Sequence, residues 1–221
     1  MNSNHIETLV LHAGIEPDPT TGAIMTPIFQ TSTYVQAAPG DHKGYEYART
    51  QNPTRDVLQK NLAALEGTNH GLCFSTGMGA VDACAKLLSP GDEVVSTNDL
   101  YGGTYRLFTK IFVQYGIKFH FVDMSDESAV RAVMNEKTKM VWVETPTNPL
   151  LRIIDIELMI ASIFFDVSAG IRPSKASGVS VHFSFASAQS ASMISISQPT
   201  HLPLASTARV PSGAFSALPT A

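Results

Sequence analysis

Between residues 52 and 143, stretches of helical period alternate with stretches of extended period, and this rhythm restricts the chain to few folds. Leu58, Leu62 and Leu65 share one helical face behind Asn52 and Pro53, and Gly67 stops the run. The short apolar run Leu72, Cys73 and Phe74 leads through Gly77 into a second helical stretch marked by Val81, Cys84, Leu87 and Leu88, which ends at Pro90 and Gly91. Residues 93–96 read as a strand. Tyr105, Phe108, Ile111, Phe112 and Tyr115 then recur at helical spacing up to Gly116. Ile117, Phe119 and Phe121 alternate with Lys118, His120 and Val122, the period of a strand, and residues 140–143 give another. Strand, helix, strand, helix in this order calls for right-handed crossovers. It predicts an α/β domain with a mostly parallel sheet.

The rhythm does not run to the end. Of the 34 charged residues, 30 lie in residues 1–157. The last 64 hold only Asp166, Arg172, Lys175 and Arg209, while serine and alanine fill 25 of those positions with no sustained period. Such a segment can bury little in a defined pattern. The organisation expected is an N-terminal arm and first helix over 1–66, an α/β unit over 67–157, and a loose or poorly packed tail over 158–221.

Charge and cysteine content narrow the function. A net charge of −4 and an isoelectric point near 5.9 leave no broad basic surface, which argues against nucleic acid as a partner. Two cysteines, Cys73 and Cys84, make neither a disulfide framework nor a four-ligand zinc site, and the seven histidines show no metal-ligand spacing. No metal is expected, and a reducing cytoplasm is the default compartment. Residues 1–7 show no secretory pattern, and the longest apolar run, residues 158–165, falls far short of the roughly 20 residues a bilayer span needs, so no membrane role is expected.

In a parallel sheet, ligands gather where strands end at their carboxyl side, so the loops after Phe74, Thr97 and Val143 are where chemistry belongs. The first reads Ser75, Thr76, Gly77, Met78, Gly79. Its glycines admit a close ligand, and the free N–H groups of a helix start suit a phosphate, although a plain tight turn has the same signature. The second loop holds Tyr101 between a strand end and Gly102-Gly103, where the ring can stack on a flat cofactor or simply pack. In the third, Asn148 sits between Pro146 and Pro149, an amide held so that it can bond a phenolic oxygen, or an ordinary turn. Upstream, Tyr47 and Arg49 stand two apart in a segment read as extended, a geometry that places both on one side to grip a phosphate; a solvated surface pair is the plainer reading.

The ordered set Tyr-x-Arg, Asn-Pro-Thr-Arg, Ser-Thr-Gly-Met, Asp-x-Tyr-Gly-Gly-Thr and Glu-Thr-Pro-Thr-Asn-Pro resembles the trans-sulfuration enzymes that use pyridoxal 5'-phosphate (PLP), most nearly cystathionine γ-synthase and γ-lyase. The resemblance runs from about residue 12 to 156. It implies the large domain of a fold type I, aspartate-aminotransferase-like transferase with its carboxyl half missing. By the same resemblance, Gly77 and Met78 offer backbone donors to the cofactor phosphate, and Tyr101 stacks on the pyridine ring. Tyr47 and Arg49 reach the phosphate of a neighbouring subunit in a homo-oligomer, and Asn148 lies near the phenolic oxygen. Arg106 is a candidate for a substrate carboxylate, with a surface arginine as the equal alternative. The substrate implied is an amino acid of the cystathionine or O-acyl-homoserine type, undergoing γ-elimination or γ-replacement.

The same family needs a lysine that holds the cofactor aldehyde and moves protons, and an aspartate that keeps the ring nitrogen protonated. No Ser-x-Thr-Lys and no Asp-Asn-Thr-Phe follow residue 157. Lys175 and Asp166 are poor matches in the wrong places, so no catalytic residue is assigned and the chain is expected to be inactive as it stands. The alternative expectation is a non-catalytic module that docks on a full-length paralogue. A nucleotide-binding domain is weaker still, since neither a Gly-x-Gly-x-x-Gly nor a phosphate-loop lysine follows the Gly77 turn.

Overall fold

The computed structural model of the chain describes residues 5–156 and 159, with two later strands at 180–185 and 192–197. Among the described residues the α-helices are α1 (Ile6–His12), α2 (Pro53–Leu65), α3 (Gly77–Ala85), α4 (Gly102–Arg106) and α5 (Glu127–Val133). The strands are β1 (Gln36–Ala38), β2 (Asp41–His42), β3 (His70–Phe74), β4 (Glu93–Thr97), β5 (Lys118–Val122), β6 (Thr138–Trp142), β7 (Ser180–Phe185) and β8 (Ser192–Ser197).

The parallel sheet is confirmed over three strands in the order β5-β4-β6. All five residues of β4 are buried, as expected of a central strand covered on both faces. Its pleat divides the core. Val94 points into a cluster with Val81, Cys84, Phe108, Phe112 and Trp142, whereas Val95 points into a second with Met124, Val130 and Ile154. Burial pushes the Cys84 thiol up to about 12, so it behaves there as a small apolar side chain.

Two features depart from the sequence reading. The segment expected as one helix over 105–115 begins as α4, widens into a π turn (Leu107–Ile111) and tightens into a 3-10 turn (Phe112–Tyr115) before Gly116 closes it at φ 77°. Thr109 donates its hydroxyl to the Tyr105 carbonyl at 2.7 Å, a bond that competes with the helical ladder and bends it. The second departure is β3, which lies outside the parallel sheet and pairs antiparallel with β8, which in turn pairs with β7. Both partners come from the segment expected to be loose. Their sequences alternate, with Val181, Phe183 and Phe185 set against His182 and Ser184, and Ile194 and Ile196 against Ser195 and Ser197. That is the period a strand edge such as β3 selects.

Helix α2 anchors the front of the chain. Asn52 caps it, accepting from the N–H groups of Thr54 (2.9 Å) and Arg55 (3.3 Å), and donates to the Phe29 carbonyl at 3.0 Å. Asn61 reaches the carbonyls of Leu9 and Ala13 at the end of α1, at 3.0 and 2.9 Å. Gln59 accepts from the Cys73 N–H at 3.0 Å, fixing β3 against α2. Among the described residues no helix is long and apolar enough to cross a membrane, and no cluster of three or more His, Cys, Asp or Glu could hold a metal.

Candidate functional site

Helix α3 starts where the first loop was expected to receive an anion. Thr76 caps it, its hydroxyl accepting from the Gly79 N–H at 3.0 Å while its carbonyl accepts from Ala80. Gly77 and Met78 are the first two helical positions, whose N–H groups have no acceptor within the helix. They point outward at the positive end of the helix dipole.

The Tyr101 loop comes to meet this helix start. Leu100 is buried in the core, so its neighbours Asp99 and Tyr101 are turned into the loop. Tyr101 is 48% exposed and its ring lies against Gly103, where a Cβ would sit 2.4 Å from its Cε1 and 2.9 Å from the Met78 Sδ. The sequence suggested that the diglycine bares the ring; here Gly103 makes room for it. One position beside Gly103 thus brings Met78 and Tyr101 together. Arg106 ends α4 and folds back toward its start, its Nη1 standing 3.3 Å from where a Gly102 Cβ would be.

The third loop is tied to the second. Glu144 accepts from the Tyr101 N–H at 2.8 Å. Thr147, 1% exposed, donates its hydroxyl to Asp99, which also accepts from the Leu150 N–H at 3.1 Å. Asn148 is exposed on the same turn, between cis peptide bonds at Thr145-Pro146 and Asn148-Pro149. Burial pushes the Glu144 carboxyl above its ordinary range. The Tyr101 N–H and a hydrogen bond from Trp142 oppose this, and the charge of Asp99 adds to it. Neither Asp99 nor Glu144 was singled out from sequence, because their partners lie 48 and 43 residues away.

Tyr47 and Arg49 are brought together by a turn rather than an extended segment. The Tyr47 carbonyl accepts from Thr50 and Gln51, and the Arg49 guanidinium carbon stands 5.1 Å from the centre of the Tyr47 ring. Arg55 on α2 braces the turn, donating to the carbonyls of Ala48 (3.2 Å) and Thr50 (2.7 Å). Both Tyr47 and Arg49 remain exposed. Asp166 and Lys175 lie outside the described residues.

A helix start rich in free donors, an aromatic ring beside it and an amide-bearing loop at the strand ends define an α/β domain suited to a phosphate-bearing flat ring. Residues 7–164 match the family model of the Cys/Met metabolism PLP-dependent enzymes, and the chain belongs to that family. It is 52% identical over 154 residues to a cystathionine β-lyase of Coxiella burnetii, an alignment covering 69% of this chain and 40% of that protein. It is 51% identical over 149 residues to a probable cystathionine γ-synthase of Herpetosiphon aurantiacus, covering 67% and 47%. Among solved structures, cystathionine γ-lyase from Lactobacillus plantarum, complexed with L-serine, superposes with a TM-score of 0.75 at 34% identity, covering 88% of this chain and 55% of that one. The chain spans less than half the length of these two curated relatives.

Proposed function

We propose that this chain supplies the amino-terminal part of a PLP site in an enzyme that makes or cleaves cystathionine-type C–S bonds, with an amino acid of the cystathionine or O-acyl-homoserine type as substrate. The observation that carries the reading is the convergence of Met78 and Tyr101 beside Gly103 at the donor-rich start of α3. When bound, PLP supplies the electron sink that lets an amino acid's α-proton leave. The chain's own residues hold and orient. The N–H groups of Gly77 and Met78 would take the phosphate oxygens, Tyr101 would cover the ring, the Asn148 amide would serve the phenolic oxygen, and Arg106 would receive a substrate carboxylate.

In this reading the chain binds the cofactor without a covalent tether and does not turn over, since no side chain assigned above can hold the aldehyde or move the proton. Equilibrium dialysis with PLP, then borohydride reduction and intact-mass measurement, tests both halves. Retention that inorganic phosphate competes away, with no phosphopyridoxyl adduct, is expected. A modified lysine, Lys175 included, would overturn the second half, and no retention would overturn the first.

The second reading is a docking module. The exposed Tyr47-Arg49 pair, pre-bent by Arg55, favours it, because a paired cation and ring facing solvent can lend phosphate contacts to another subunit. Mixing with a full-length paralogue and measuring mass in solution decides: a mixed assembly lost in Arg49→Ala supports docking, and a monomer indifferent to the paralogue removes it.

A further inference from the structure

We propose that Asp99 and Glu144 form a reciprocal clamp of positioning residues, which holds the Tyr101 ring and the Asn148 amide in fixed relation across two loops. The inference rests on the cofactor reading above and goes beyond it by naming what sets the site's geometry.

Tyr101 and Asn148 are exposed, so packing alone does not orient them. Their backbones are held instead by an exchange of acids. The loop after β6 sends Glu144 to accept the Tyr101 N–H of the loop after β4, at 2.8 Å. The loop after β4 sends Asp99 to accept from the Thr147 hydroxyl and from the Leu150 N–H at 3.1 Å, the residues that bracket Asn148 and Pro149. Thr147 is itself locked, its N–H donating to the Arg152 carbonyl and its hydroxyl accepting from the Arg152 N–H, both at 2.9 Å. Each loop therefore carries one ring- or amide-bearing residue and the acid that fixes the other's. With Leu100 buried between Asp99 and Tyr101, the clamp pivots on the core and the Tyr101 ring stays against Gly103. Oriented hydrogen bonds of this kind, one step behind the ligand, decide how tightly a site is preorganised. Raising of the Glu144 carboxyl by burial agrees with an acid placed where water does not orient it.

The test is amide hydrogen exchange by NMR on the full chain, with the circular dichroism of bound PLP as a second readout. Glu144→Ala is expected to speed exchange of the Tyr101 amide by about tenfold or more, the size of a lost hydrogen bond to a carboxylate. Asp99→Ala is expected to do the same at Leu150, while the β4 amides of both variants stay protected. Glu144→Gln keeps an acceptor oxygen and should restore both the Tyr101 amide and the dichroism that Glu144→Ala weakens. Unchanged Tyr101 exchange in Glu144→Ala, or failure of Glu144→Gln to rescue it, overturns the clamp. A parent chain with no PLP dichroism overturns the cofactor reading instead, and the exchange data still decide the clamp.

Discussion

The two ends of the β5-β4-β6 sheet each hold a shielded glutamate, and the two have opposite characters. At the amino end Glu93, 8% exposed, accepts from Asn135 at 2.8 Å and from His120 at 2.6 Å, with Lys118 at 3.7 Å. These donors, Asn135 first, hold its carboxyl down at about 2 against the cost of burial. At the carboxyl end burial dominates, and Glu144 is pushed up. Where donors outnumber lone pairs left dry, a charge locks strands together. Where they do not, burial tightens the acid's hold on its proton at a cost to stability.

The broadest way to break the contrast is to remove what both ends share. Phe108 is fully buried, stacked on Phe119 at 4.5 Å and edge-on to Trp142 at 5.3 Å. Phe108→Ala should cost about 3–5 kcal/mol in denaturant titration and loosen both ends together. A loss under about 1 kcal/mol would mean that the ends do not share this core.

The next test separates them by sign. Glu93 binds its proton more weakly folded than unfolded, so its stabilisation is complete above about 4.5 and is lost as pH falls toward about 2. Glu144 binds its proton more tightly when folded, so its contribution falls as pH rises from about 4.5 through its raised value. Glu93→Gln should therefore lower the melting temperature at neutral pH and flatten the acid limb. Glu144→Gln should leave neutral-pH stability equal or higher. Melting curves in which both variants change in the same direction with pH would erase the distinction.

Gly103→Ala acts at one end alone. The added Cβ would strike the Tyr101 ring and the Met78 sulfur, which predicts a loss of about 1–3 kcal/mol and weaker PLP retention. Protection of the Glu93 amide, which donates to Lys137 at 2.8 Å, should not change. Equal loosening at Glu93 would show that the loop is not a local unit.

How much of this was written in the sequence depends on the reach of each interaction. Pro53 and Gly67 mark α2, Gly77 opens α3, and the apolar alternation of β5 declares itself, because those signals act over a few residues. Helices α1 and α5 passed unread: each is seven residues long, too short to show a period, and α5 rests on the Asp126 cap, which accepts from Ser128. The π turn coincides with the bond from the Thr109 hydroxyl to the Tyr105 carbonyl, which no hydrophobic period announces. The pairing of β3 with β8 joins residues more than 100 apart, and no local period encodes a partner. In the site, the same rule separates the legible from the hidden. Gly77, Met78, Tyr101 and Asn148 can be read within their own loop motifs, whereas Asp99 and Glu144, which open two of those motifs, gain their roles only when two loops meet.

The smallest expected effect lies at the Thr76 cap. Removing the hydroxyl in Thr76→Ala frees the Gly79 N–H from its 3.0 Å bond and should cost about 1 kcal/mol. The loss falls on the first turn of α3, which carries the Gly77 and Met78 donors, so phosphate competition with PLP should weaken along with stability. Thr76→Ser keeps the oxygen and should behave as the parent in both measurements. If Thr76→Ala lost stability but held phosphate as well as before, the anion would be gripped by something other than this helix start, and the carboxyl end of the sheet would be as purely structural as the Glu93 end.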